Sequence, residues 1–173
     1  MNKPLSSDEI KGQIERHLTG FFHPGERVLA IIPDLTRSAP VPVVFAVLNA
    51  MADQTQCHLD YLIALGTHPP LSDQEIEQLV GVPLAEIHRK HPGLRVMNHN
   101  WSDSAQMVKL GVISADETAM LSEGLMREEI PVHINRLAQE YDRLLICGPV
   151  FPHEVAGFSG GAKYLFPGIA GEE

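Results

Sequence analysis

The chain has 173 residues, a formal charge of −9, 44% hydrophobic residues and 20% charged residues. That length can bury one sizeable core, so one domain is the expectation, and the composition is ordinary for a soluble globular protein. The acidic balance argues against a nucleic-acid surface, which needs clustered Lys and Arg, but leaves room for a locally basic pocket that takes a small anion.

In chain order, "SSDEIKGQIERHLTGFF" sets Ile10, Ile14, Leu18 and Phe21 at helical spacing. Ser6 or Ser7 can cap its first turn, where Asp8 and Glu9 suit the helix dipole. "ERVLAIIPD" reads as a buried strand and "VPVVFAVLNAMAD" as a helix packed on it. "HLDYLIALGT" is a second strand, followed by the helix "SDQEIEQLVG", in which Ser72 and Glu75 form a capping-box pattern. "GLRVMNHNW" is a third strand candidate and "AQMVKLGVIS" a fourth. "PVHINRLAQEYD" predicts a helix, with Val132, Leu137 and Tyr141 among its apolar positions, and "DRLLICGPV" a final buried strand. Strands that are nearly continuous apolar runs, alternating with helices, predict a single α/β layered domain over residues 1–173. Its sheet should be largely parallel and flanked by helices.

The two cysteines, Cys57 and Cys147, lie in apolar runs with no short spacing between them. Neither a zinc pattern nor a disulfide scaffold is expected. The start "MNKPLSSDEI" lacks an apolar leader core and no run approaches membrane-spanning length. No membrane partner is expected, and a reducing, cytoplasmic compartment is the default.

In open α/β sheets, ligands sit beyond the carboxyl ends of the strands. Three strand ends carry polar, turn-rich segments: "PDLTRSAP", "GTHPPLSD" and "GPVFPHEVAGFSGGAK". They supply Asp34, Thr36 and Arg37, then Thr67 and His68, then His153, Glu154, Ser159 and Lys163. Taken singly, each has a plainer reading. Asp34 and Arg37 could be a local ion pair or turn residues, His68 and His153 loop histidines, and Lys163 a solvated charge. Gathered on one sheet edge, they predict a site. The stretch Gly157 to Lys163 is not an ATP loop, because Ala162 and Tyr164 stand where such a loop needs Gly and Ser or Thr. Its glycines still permit positive φ and a close approach of backbone N–H groups to an anion.

"DLTRSAP", "ALGTHPPLSDQEIEQLVG", "VMNHN" and "VHINRLAQEYDRLLICGPVFPHEVAGFSGGAKYLFPGIAG", in that order, resemble the amino-terminal domain of nickel-dependent lactate racemases and their relatives. The resemblance covers about residues 26–171. It implies racemisation or epimerisation of a small 2-hydroxy acid by hydride transfer to a nickel-pincer nucleotide, a pyridinium mononucleotide with two sulfur-bearing arms. It further implies that Lys163, in the S-G-G-x-K motif, tethers this cofactor, and that Thr36, Ser159, Gly160 and Gly161 help to bind it. His68 and His153 are implied as the alternating acid and base, with Asp34 and Arg37 lining the same site. The nickel-ligating histidine is expected beyond Glu173, so that no metal ligand lies within this chain.

By the same resemblance the chain is expected to be the truncated, cofactor-tethering amino-terminal domain of a two-domain enzyme, inactive alone. A carboxy-terminal domain and cofactor-maturation enzymes are its expected partners. Three positions depart from common family patterns: Pro69 and Ala162 replace arginines, and Phe151 an acidic residue. The alternative reading is a module that binds a nucleotide-like ligand without catalysis of its own.

Overall fold

The structure is a computed structural model that describes residues 3–154 and 157–171. Helix α1 (Ser7–His17) begins where Ser6 and Glu9 bond reciprocally, the Ser6 hydroxyl accepting from Glu9 N and the Glu9 carboxylate accepting from Ser6 N. Strand β1 (Arg27–Ile32) leads to α2 (Val41–Thr55), which has a proline in its first turn and ends on left-handed Gln56. Strand β2 (His58–Ile63) precedes α3 (Asp73–Val80), capped by Ser72 and Glu75 and stopped by left-handed Gly81. Then come α4 (Leu84–Lys90), β3 (Val96–Asn98), β4 (Met107–Ile113), α5 (Ala115–Leu121) and β5 (Ile130–Asn135). The chain continues through α6 (Leu137–Glu140), β6 (Arg143–Ile146), and the short strands β7 (Phe151–His153) and β8 (Gly157–Ser159). A 3-10 turn, Gly161–Tyr164, follows.

Strands β3, β2, β1 and β6, in that order, form one parallel sheet. Val28 to Ile32 of β1 are fully shielded from solvent, which a central strand covered on both faces requires. Val28, Ala30 and Ile32 pack with the α2, α3 and α4 residues Phe45, Leu48, Leu79 and Ile87 on one face. Leu29, Ile31 and Leu62 pack on the other with Ile134, Tyr141, Tyr164 and Ile169. The layered α/β expectation therefore holds.

Two expectations need correction. Residues 131–142 are not one helix: Ile130–Asn135 is a strand, antiparallel to β4, and only Leu137–Glu140 is helical. Pro131 and the β-branched Val132 and Ile134 disfavour a helix, and the pairing along β4 outweighs the sparse helical spacing. The fourth strand candidate does form, but in this separate pair rather than in the parallel sheet. Helices α4 and α5 carry no counterpart in the sequence reading, although Ser114 and Glu117 spell out the capping box that starts α5. No helix among the described residues is long and apolar enough to cross a membrane.

Candidate active site

Register puts the carboxyl ends of the central strands level. Ile32 of β1 lies beside Ile63 of β2, and Ile31 beside Ile146 of β6. Strands β2 and β6 leave β1 on opposite sides, so the crevice above their ends is the topological switch point, where such sheets bind ligands. A cleft of about 210 Å³ occupies that position. Asp34, Thr36, Arg37, His68, Ser159, Gly160, Lys163 and Tyr164 all line it.

The polypeptide reaches the cleft through local hydrogen bonds. Just past β1, Asp34 forms a side-chain turn: its Oδ1 accepts from Thr36 N at 3.1 Å and from Thr36 Oγ1 at 2.5 Å. Its Oδ2 faces His68 Nδ1 at 2.6 Å. The Asp34 side chain is 6% exposed and that of His68 52%. Burial alone would raise the Asp34 carboxyl, but the Thr36 hydroxyl and amide together with the His68 ring outweigh it and hold the group below the usual carboxylate range. An ionised carboxylate only accepts, so Nδ1 of His68 carries a proton in this contact, and in the neutral ring the lone pair is then on Nε2. Of the plainer readings for Asp34, the turn is present. Among the described residues Arg37 has no ion pair with it and stands exposed at the cleft.

The glycine-rich end folds as the hairpin β7–β8, with Phe151 opposite Ser159, and then the 3-10 turn. Gly160 has φ +95°, and a Cβ on it would lie 2.0 Å from the Pro149 carbonyl oxygen. Only glycine lets the chain pass there. Lys163 sits half-buried on the turn, its N–H bonded to Gly160 O at 3.2 Å, and among the described residues its amine has no ion pair. Gly161 opens the turn with φ +58° but does not line the cleft. His153 closes β7 opposite Gly157. Its side chain, with Val155 and Ala156, lies outside the described residues.

The segment that follows is anchored from below. Gly66 N donates to Gly168 O at 2.8 Å and Asn135 N to Ile169 O at 2.8 Å. Buried His99 donates from Nε2 to Ala170 O at 2.9 Å, while its Nδ1 accepts from Asn135 Nδ2 at 3.2 Å. Burial lowers the pKa of His99, only partly offset by the Ala170 bond, so it is a neutral structural pin. Among the described residues no group of three or more His, Cys, Asp or Glu side chains could hold a metal ion. The sequence reading missed Tyr164 as a cleft residue; its place beside Lys163 was the available signal.

Residues 9–173 match the family described as lactate racemase N-terminal domain. The lactate racemase of Lactiplantibacillus plantarum is 26% identical over 98% of this chain and 34% of its own length. That of Thermoanaerobacterium thermosaccharolyticum is 28% identical over 84% of this chain and 30% of its own length. The chain thus spans about a third of the curated relatives it matches. A Thermotoga maritima crystal structure superposes with TM-score 0.85 at 28% identity, covering 99% of this chain and 40% of that one. The lactate racemase apoprotein structure from T. thermosaccharolyticum superposes with TM-score 0.75 at 24% identity, over 97% and 38%, and bears on the fold alone.

Proposed function

This chain belongs to the lactate racemase N-terminal domain family, and on that footing we propose that it is the cofactor-tethering domain of a 2-hydroxy-acid racemase or epimerase. The observation that carries the reading is the 2.6 Å contact between buried Asp34 and His68 at the mouth of the cleft that also takes Lys163.

Asp34 fixes the tautomer and ring plane of His68, so that Nε2 is free to accept the hydroxyl proton of a bound 2-hydroxy acid. The same carboxylate stabilises the imidazolium while the proton resides there, and the ring then returns it. His153 is assigned the matching role for the opposite enantiomer. Arg37, with no ion pair among the described residues, suits the substrate carboxylate.

The residues fit a nickel-pincer nucleotide. Lys163 offers an amine that can be acylated into a tether. Gly160 leaves room that any side chain would fill, and Thr36, Ser159 and Gly161 stand at or beside the same cleft. When bound, this group supplies the hydride acceptor for the reacting carbon and a nickel ion whose histidine ligand is sought outside this chain. The carboxy-terminal part of the enzyme and the cofactor-maturation enzymes complete the proposal. A second reading, a nucleotide-binding module without turnover of its own, draws on the same cradle and cations, which bind anions without chemistry.

Intact mass measured after co-expression with the cofactor-making enzymes tests the proposal. The wild-type chain should gain a covalent adduct that Lys163→Ala lacks and His68→Ala retains. An adduct that survives Lys163→Ala would remove the tether from this position.

A further inference from the structure

Tyr164 stands out from the other tyrosines of the chain. Tyr61 donates its hydroxyl to Phe45 O and Tyr141 donates to Asp60, whereas the Tyr164 hydroxyl has no hydrogen-bond partner among the described residues. The residue as a whole is 8% exposed and clusters with Leu29, Ile31, Leu62 and Ile169. Its hydroxyl lies against Gly148, where a Cβ would stand 1.9 Å from the phenol oxygen, and the residue lines the cleft. No buried side-chain polar atom among the described residues lacks a partner, so the unclaimed Tyr164 hydroxyl is open to solvent and can donate to a ligand.

The surroundings indicate what that occupant is. Arg37 and Asp34 both act on the phenol electrostatically, so its hydroxyl lies in the field of the pair that flanks the cleft. Arg37 and Lys163 bring two cations without ion pairs among the described residues into this cleft of an acidic protein. Asp34 is already engaged by Thr36 and His68. Of the remaining polar side chains, Arg37, Lys163 and Tyr164 are donors without a hydrogen-bond partner among the described residues, which suits negative charge.

We propose that the Tyr164 hydroxyl and the Arg37 guanidinium together form an oxyanion-recognition pair, which holds a carboxylate or phosphate oxygen at the switch point of the sheet. The phenol acts as a neutral donor: burial raises its pKa, with Arg37 pulling the other way, so it keeps its proton at neutral pH. The assignment rests on the cleft being the ligand site proposed above, and it adds a residue of recognition rather than of proton transfer.

The test uses the 173-residue chain itself. The Tyr164 ring resonances and the backbone amides of the cleft residues Thr36, His68 and Gly160 are followed by NMR during separate titrations with sodium lactate and inorganic phosphate, in wild type and Arg37→Ala, and the amides alone in Tyr164→Phe. The expected result is a saturable shift of Tyr164 signals by at least one anion. Tyr164→Phe should raise that Kd about tenfold or more, as loss of a hydrogen bond to a charged group implies. Arg37→Ala should weaken the same anion, and the melting temperature of Tyr164→Phe should stay near wild type. Response to lactate alone identifies a carboxylate subsite, and response to phosphate alone a subsite for the cofactor's phosphate. Unchanged affinity in Tyr164→Phe, or no Tyr164 shift with either anion, overturns the assignment. The adduct mass at Lys163 is read independently, so loss of the tether and loss of this pair are separate results.

Discussion

Asp34 and His68 carry opposite burdens: the carboxylate is buried and the imidazole half-exposed, 2.6 Å apart. Because the folded pKa of Asp34 is depressed, the native state binds its proton more weakly than the unfolded chain. The contribution to stability is full above the unfolded carboxylate pKa of about 4 and is lost as pH falls through the lower folded value. Asp34→Asn should lower stability at neutral pH by about 1–3 kcal/mol, through the lost charged hydrogen bonds. It should also flatten part of the acid slope. Thermal melts of both proteins from neutral pH into the acid range check this, and parallel slopes would show that Asp34 is not strongly bonded. His99 acts with the same sign at higher pH: its depressed pKa adds stability above the unfolded value of about 6.5, lost as pH falls through the folded one.

At the scale of elements, the β7–β8 hairpin and the following turn act as one unit, because Gly160 passes against Pro149 with positive φ. Gly160→Ala combines left-handed strain with a Cβ 2.0 Å from a carbonyl oxygen, so Pro149 or the turn has to move. The expected outcome is a loss of about 1–3 kcal/mol in a denaturant titration, together with chemical-shift changes at Ser159 and Lys163. Gly161→Ala is the informative control, since φ there is also positive but no heavy atom lies within 4 Å; it should be the milder of the two. Strand β5 makes a related point. Its residues Pro131 to Asn135 satisfy their backbone through β4 and through the tail at Ile169 to Gly171, which ties the lower side of the cleft to the antiparallel pair.

Across the whole molecule, the cleft lies at one end of the strands and a buried polar network at the other. At the amino end, fully buried Asp60 of β2 accepts from Arg95 through N, Nε and Nη2 at 2.7, 3.1 and 2.9 Å. It also accepts the Tyr141 hydroxyl and faces His58 Nε2 at 3.1 Å. Arg27 stacks 4.4 Å over the Tyr141 ring, so four separated stretches of chain meet there. Burial, reinforced by the Asp60 bond, pushes Tyr141 up to about 12, and it stays a donor at any pH at which the protein would be used. Tyr141→Phe should cost about 1–2 kcal/mol of global stability while leaving Tyr164 signals and anion affinity unchanged, because the two clusters lie at opposite ends of the strands. A change in anion affinity in Tyr141→Phe would show that the two edges are coupled.

What the sequence determined by itself is what a few neighbouring residues can encode. The capping pairs Ser6–Glu9 and Ser72–Glu75, the continuous apolar runs of β1 and β2, and the polar loops after them are local signals, and the α/β layering follows from their alternation. So does the gathering of Asp34, His68 and Lys163, since parallel strands bring their carboxyl ends to one edge. Tertiary structure alone decided that residues 130–135 extend along β4, because their period is readable as a sparse helix until a partner strand is present. It alone made Asp60 the hub of a buried network with Tyr141, 81 positions away, and set the hydroxyl of Tyr164 against Gly148. The physical reason is the same in each case. Caps and strand runs draw their free energy from contacts a few residues apart, whereas burial and hydrogen bonding of a lone polar group depend on which distant backbone closes over it.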